Sequence, residues 1–214
     1  MMDTFKHKGM RRKLIEELKE RGISDENILQ AFDATPRHFF LDLAFEKQAY
    51  SNTAFQIGKG QTISHPYTVA FQTQLLELKK REKILEIGTG SGFQTAILCQ
   101  LGTKVFSIER HRELYLNAKN ILEKLGHQPR LNFGDGFKGL PTFAPFDKIL
   151  VTCGAPFIPQ ALLDQLKVGG ILVIPVGEGK KQIMTRMIKL SETEFEEATY
   201  GDFSFVPMLE NKAK

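Results

Sequence analysis

Gly88, Gly90 and Gly92 stand at every second position after the apolar run Lys83-Ile84-Leu85-Glu86-Ile87, and a helical run from Gln94 to Leu101 follows at once. This order describes a buried strand, a tight turn and a helix start. Backbone N–H groups in such a turn come close to whatever sits above the strand end. Glycine has no Cβ to obstruct that approach and tolerates positive φ. The spacing of Gly88-Thr89-Gly90-Ser91-Gly92 is G-x-G-x-G, not the G-x-G-x-x-G of dinucleotide binders, and the turn lacks the lysine of a P-loop. A plain turn would not need three glycines, each of which costs conformational entropy.

Glu109 ends the next apolar run, at about the 20-residue offset where an acidic side chain grips a ribose diol in doubly wound sheets. A carboxylate accepts from both hydroxyls at once. Arg110 beside it is a further candidate cofactor contact. The alternative for Glu109 is a surface ion pair with Arg110 or Arg112. Asp135-Gly136 follows a third strand. The Asp can accept from an exocyclic amine such as adenine's, and Gly136 lets a base approach the backbone; an ordinary Asp-Gly turn explains the pair about as well. Glu86 sits inside an apolar strand, where a carboxylate needs partners. These are the N–H groups of the glycine turn or the cationic end of a ligand. Together these residues outline a site for an adenosine-bearing cofactor.

Other chemistries lack their residues. No G-x-S-x-G nucleophile elbow is present. His7, His38, His65, His111 and His127 form no metal spacing with the two cysteines, and no metal is expected. Cys153 closes the fourth strand as a lining residue.

The elements that position these groups read as α/β. Residues Gly9 to Arg21 and a second run over Ile28, Leu29 and Phe32 are amphipathic helices, the second opened by Ser24-Asp25-Glu26 and broken by Pro36. Phe39 to Tyr50 predicts a short helix. Ser51 to Ser64 has no period and reads as a long functional loop. Pro66 suits the first turn of a helix through Leu76. From Ile84 onward strands and helices alternate, with strands at Ile84–Ile87, Lys104–Ile108, Arg130–Phe133, Phe146–Thr152 and Gly170–Val176. Ile183–Leu190 and Glu196–Phe205 then form an antiparallel hairpin. Glu210 to Lys214 are expected to fray. The fold class is a doubly wound, mostly parallel Rossmann-like sheet with a C-terminal hairpin and an N-terminal helical extension. The ligand belongs at the carboxyl ends of the strands. The 214 residues are read as a single domain, with helices and loop (1–82) packed on a core (83–209).

A formal charge of +4 and no basic stripe argue against nucleic acid as partner. No apolar run approaches the ~18 residues of a membrane span, and the N-terminus lacks the apolar core of a signal peptide. Two cysteines in apolar segments suit a reduced, cytoplasmic protein. A monomer is expected.

The stretch Ile84 to Gly92 resembles motif I of class I S-adenosylmethionine-dependent methyltransferases, and Phe106-Ser107-Ile108-Glu109 resembles the acidic motif after it. Ile57 to Tyr67 with its Thr62-Ile63-Ser64 signature, Phe133 to Gly136, Ala144 to Thr152, Gly169 to Gly177 and Phe205-Val206-Pro207-Met208 are similar to the protein-L-isoaspartate O-methyltransferase family along nearly the whole chain. The resemblance implies S-adenosyl-L-methionine as cofactor, S-adenosyl-L-homocysteine as product, and isoaspartyl-containing proteins and peptides as partners, repaired by methylation of the isoaspartyl carboxylate. It implies Ser64 as the active-site serine. It also implies substrate contacts from Thr62, Ile63, Ser64, His65, Val206 and Pro207, with Val206-Pro207 lying over the peptide. His65 stands where the family is expected to have a small or amide residue. Cofactor contacts are expected at Glu86, Gly88, Thr89, Gly90, Gly92, Glu109, Arg110, Asp135 and Gly136.

The chemistry agrees with this set. A carboxylate is already ionised near neutral pH and needs no general base to attack a sulfonium methyl. The protein must align the atoms and exclude water. Ser64 then orients the carboxylate by a hydrogen bond; capping the helix before Pro66 is its other possible role. The rivals are a class I methyltransferase acting on RNA or a small metabolite, and a non-enzymatic adenosyl-binding module. Thr152-Cys153-Gly154-Ala155-Pro156 lacks the Asn/Asp-Pro-Pro-Tyr pattern expected of the RNA enzymes.

Overall fold

The computed structural model describes residues 2–213. Its N-terminal part holds α1 (Phe5–Glu20), α2 (Glu26–Ala34), a hairpin of β1 (Phe55–Gly58) and β2 (Gln61–Ile63), and α3 (Pro66–Leu75). Then follow β3 (Lys83–Ile87), α4 (Phe93–Gln100), β4 (Lys104–Glu109), α5 (Arg112–Lys124) and β5 (Arg130–Phe133). The chain continues through β6 (Phe146–Val151), α6 (Gln160–Asp164), β7 (Leu166–Val176), β8 (Gln182–Lys189) and β9 (Phe195–Phe203). Strands β3 to β9 form one sheet in the order β5-β4-β3-β6-β7-β8-β9. The first five in that order are parallel, and β8 and β9 are antiparallel. The expected α/β architecture with a C-terminal hairpin is the one observed. Chain order reverses at β3, so a crevice opens at its carboxyl end.

Apart from Lys83 at its start and the buried Glu86, β3 is apolar because both its faces are covered. Leu85 and Ile87 pack with Phe146, Leu162 and Leu172, whereas Ile84 packs on the other face with Leu76, Leu98 and Val173. Leu14, Leu18, Ile28 and Phe32 of the first two helices join Phe93 and Ile97 of α4 and Leu122 of α5. The Phe32 and Phe93 rings meet edge to face at 5.7 Å. This packing seats the N-terminal part beside the glycine turn. His7 and His38 serve the same packing: their rings stack at 3.8 Å, His7 Nε2 meets Glu46, and His38 Nδ1 bonds the Tyr50 hydroxyl at 2.7 Å.

Three expectations differ from the structure. The helix expected over Phe39 to Tyr50 is two 3-10 segments, Arg37–Phe40 and Leu43–Gln48, because Leu41 is extended and Asp42 restarts the chain by accepting the Ala44 amide. The long loop at Ser51 to Ser64 contains the β1–β2 hairpin, with buried Phe55 and Ile63 paired across it and Lys59 and Gly60 turning it at positive φ. The tail expected to fray is held. Arg110 Nε donates to Asn211 O at 3.1 Å, and Ala213 N to Arg110 O at 2.9 Å. Lys214 lies outside the described residues.

Candidate active site

The crevice at the end of β3 is lined by Thr62, Ile63 and Ser64, by Gly88 to Ser91, by Glu109 and by Val206. Residues from both ends of the chain therefore meet over one strand.

Gly88 adopts φ +97, and a Cβ there would lie 2.5 Å from Thr152 Oγ1. Only glycine lets the backbone pass so close to that side chain. The amides of Gly88 and Thr89 donate to Ile108 O at 2.9 and 3.1 Å, and that of Gly92 to Thr89 O. The turn is thus less a row of free donors than a close, smooth backbone surface. Gly92 begins α4 at φ +88 and packs toward Ala118 and Leu122 of α5, outside the crevice lining.

Glu109 is 4 % exposed and holds the turn: its Oε2 accepts from Gly90 N and its Oε1 from His111 N, both at 2.8 Å. Each oxygen keeps a second lone pair for a ligand hydroxyl. The ion pair with Arg110 or Arg112 does not form. Arg110 is not among the crevice residues; its guanidinium grips the carbonyls of Glu210 and Asn211 in the C-terminal tail.

Glu86 neither anchors the turn's amides nor faces the crevice. It is fully buried beneath it, and its Oε2 accepts from Thr95 Oγ1 at 2.5 Å and Ser107 Oγ at 2.6 Å. Ser107 in turn bonds the Thr89 hydroxyl at 2.6 Å, so Glu86 ties β3, β4, α4 and the turn together from below. Burial pushes its carboxyl up to about 7. Its Oε1 has no partner among the described residues.

Asp135 and Gly136 lie at the end of β5, outside the crevice lining and under the C-terminal tail. Asp135 accepts from Phe137 N on Oδ1 and from Asn211 N on Oδ2, both at 3.0 Å, and each oxygen keeps a second lone pair. A Cβ on Gly136 would collide with Ile87 and stand 3.2 Å from Met208 Cε.

Ser64 is not the cap of α3. His65 takes the N-cap position without a side-chain bond, and the first-turn amide of Tyr67 is taken by Asn52 Oδ1 at 2.9 Å. The Ser64 hydroxyl is therefore not used in capping. His65 is exposed at its surface edge and is not among the crevice residues; partial loss of solvent around its ring, and then the charge of Arg37, hold it below the usual histidine range. Val206 is set by the loop after β6: Gly154 N donates to Val206 O at 2.8 Å and Met208 N to Gly154 O at 2.7 Å. Pro207 between them is exposed and lines no part of the crevice.

Sequence reasoning missed Gln61, Gln72, Gln94 and Thr152, which also line the crevice; Cys153 lines it as expected. Gln94 carried a signal, a long polar side chain in the first turn of a mostly apolar helix. It is 7 % exposed, and its Oε1 has no partner among the described residues. A buried acceptor left open in a crevice fits a ligand with N–H or O–H donors. With Glu109 in the same crevice, the set fits an amino-acid-bearing nucleoside.

A seven-stranded sheet, parallel except for its C-terminal antiparallel strands, with a glycine turn at the switch strand and an acid ending the next strand, has the class I methyltransferase fold. Solved structures agree. One described as a protein-L-isoaspartate O-methyltransferase aligns with TM-score 0.85 at 29 % identity, over 94 % of this chain and 66 % of that longer one. A putative protein-L-isoaspartate O-methyltransferase from Plasmodium falciparum, in complex with S-adenosyl-L-homocysteine, aligns with TM-score 0.82 at 23 % identity over 94 % of this chain and 99 % of that one. Among curated relatives, the protein-L-isoaspartate O-methyltransferases of Flavobacterium psychrophilum and Christiangramia forsetii are 58 % and 57 % identical over 99 % of this chain and 100 % of theirs. The sequence profile of the protein-L-isoaspartate(D-aspartate) O-methyltransferase family matches residues 9–213, and the chain belongs to that family. It is an S-adenosylmethionine-dependent enzyme that methylates isoaspartyl carboxylates.

Proposed function

We propose that the crevice at the end of β3 carries out this reaction, with Ser64 orienting the isoaspartyl carboxylate. The glycine turn, Glu109 and Gln94 hold the cofactor. The observation that carries the reading is the meeting of Ser64, Gly88, Glu109 and Val206 in one crevice. When bound, S-adenosylmethionine supplies an electrophilic methyl group on a sulfonium. Glu109 receives the ribose hydroxyls on lone pairs its two amide donors leave free. Gln94 Oε1 accepts from the cofactor's ammonium group or a hydroxyl. Ser64 donates to the attacking carboxylate, and Val206 covers it against water. No proton has to move, because the carboxylate is ionised already. Labelled methyl transfer to an isoaspartyl peptide against its aspartyl isomer tests the assignment.

We read the chain as one domain, since Leu14 and Ile63 share an apolar cluster with Phe93 and Leu122. We infer that it acts on damaged proteins and peptides as a cytoplasmic monomer, without nucleic-acid or membrane partners. Two unpaired cysteines whose thiols burial pushes up to about 12 support a reducing compartment. Exposed Glu196 and Glu197 on the edge strand β9 support the monomer, because edge charges oppose strand pairing between copies.

A further inference from the structure

Arg37 is 1 % exposed, and no carboxylate pairs with it among the described residues. Its guanidinium donates to three carbonyls, at Ala49 (2.5 Å), Thr53 (3.0 Å) and Ser64 (3.0 Å). The rings of Phe55 and Phe93 lie 5.5 and 5.7 Å from its central carbon. Its Nε is buried without a partner among the described residues. A buried cation without a counter-ion is costly, and neutral carbonyls and ring faces offset only part of that cost. Burial pulls its pKa down to about 9, which still leaves it charged at neutral pH.

We propose that Arg37 is the positioning residue of the substrate loop: its fork fixes Ser64 by the backbone, and its unpaired charge selects an anionic side of the substrate above Ser64. The proposal rests on the reading that Ser64 meets the isoaspartyl carboxylate. The three carbonyls come from the residue that closes the second 3-10 segment, the loop before the hairpin and the residue after it, so one planar group joins the parts that shape the substrate wall. Arginine suits this task because its donors diverge in one plane, whereas a lysine ammonium spans fewer acceptors. The missing counter-ion is then supplied by the substrate. A carboxylate a short distance above Ser64 gains from a charge screened by protein rather than by water.

The test compares two peptides that differ in one group. One carries isoaspartate and is methylated. The other carries isoasparagine, with a carboxamide in place of the carboxylate, and is measured as an inhibitor. The ratio of its inhibition constant to the KM of the first gives the preference for charge. Affinity for S-adenosylhomocysteine, read by calorimetry, monitors the cofactor half. In Arg37→Gln the preference should fall about tenfold or more while homocysteine-product affinity stays within about threefold. In Arg37→Lys, assayed on the acid side where the buried ammonium keeps its proton, the preference should persist within about threefold while kcat falls, because the charge remains and the fork is lost. An unchanged preference in Arg37→Gln overturns the proposal, as does a parallel loss of product affinity and activity. If Arg37→Gln does not fold, Arg37→Lys decides: preference kept with lower kcat supports the proposal, and preference lost or kcat unchanged overturns it. A wild-type enzyme that fails to methylate the isoaspartyl peptide would instead overturn the underlying reading, and this proposal with it.

Discussion

Glu109 Oε2 accepts the Gly90 amide at 2.8 Å, so the acid that ends β4 is built into the glycine turn that follows β3. The two motifs that stand 19 residues apart in the chain are one rigid unit. Removing the acid should harm the site twice, by losing ribose acceptors and by freeing the turn. Glu109→Ala is expected to weaken S-adenosylhomocysteine by more than about 1 kcal/mol in calorimetry, the scale of a hydrogen bond to a charged group. A smaller loss would contradict a direct contact.

Gly88 offers a steric test of the same turn. Gly88→Ala places a Cβ 2.5 Å from Thr152 Oγ1 at φ +97. Thermal unfolding should show a loss of about 1–3 kcal/mol from backbone strain and the collision. Adding Thr152→Ala should restore part of it, because the colliding oxygen is gone while the strain remains. Strictly additive losses in the double variant would show that the collision is not what glycine avoids.

Glu86 gives the fold a pH dependence. Its carboxyl is raised from 4.5 to about 7, chiefly by burial. The neutral form is the better folded species, so its contribution is full below the unfolded pKa and is lost as pH rises through the folded one. Glu86→Gln is neutral throughout and should lose less stability than wild type between about pH 5 and pH 8, by up to about 3 kcal/mol. Chemical denaturation at the two pH values checks it; equal losses would contradict a neutral Glu86.

Ser64 and Asn52 separate chemistry from capping. The Tyr67 amide is satisfied by Asn52, not by Ser64. Asn52→Ala should therefore cost about 1 kcal/mol of stability, the usual size of a lost cap. Ser64→Ala should leave stability nearly unchanged and lower kcat/KM by roughly 10- to 100-fold, the worth of a hydrogen bond to a carboxylate. Unchanged kcat/KM in Ser64→Ala would remove the serine from the reaction.

These residues also show what the chain discloses without coordinates. β3, its glycine turn and the acid ending β4 were legible because a two-sided buried strand and a close backbone approach restrict residue type locally. The hairpin at 55–63 was not legible. Lys59 takes φ +54 beside Gly60, a left-handed conformation no lysine advertises, and the Phe55–Ile63 pairing is set by the core beneath it. Arg110, Asp135 and Glu86 were recognised as special for their positions, but their partners were not. Arg110 meets Asn211, 101 residues away, and Asp135 meets the same residue from 76 away. Glu86 finds two hydroxyls on neighbouring elements. Such pairings depend on how the tail and helices return, which no local pattern encodes. Arg37 was hidden for the same reason, since its acceptors are backbone carbonyls that carry no residue signature.

The most direct measurement gives the purified protein labelled S-adenosylmethionine and two peptides that differ only in one linkage, isoaspartyl or aspartyl. The crevice assigned to Ser64, the glycine turn and Glu109 predicts base-labile label in the isoaspartyl peptide and none in its aspartyl isomer, with the signal abolished by excess S-adenosylhomocysteine. Equal labelling of both peptides, or of neither, would contradict it.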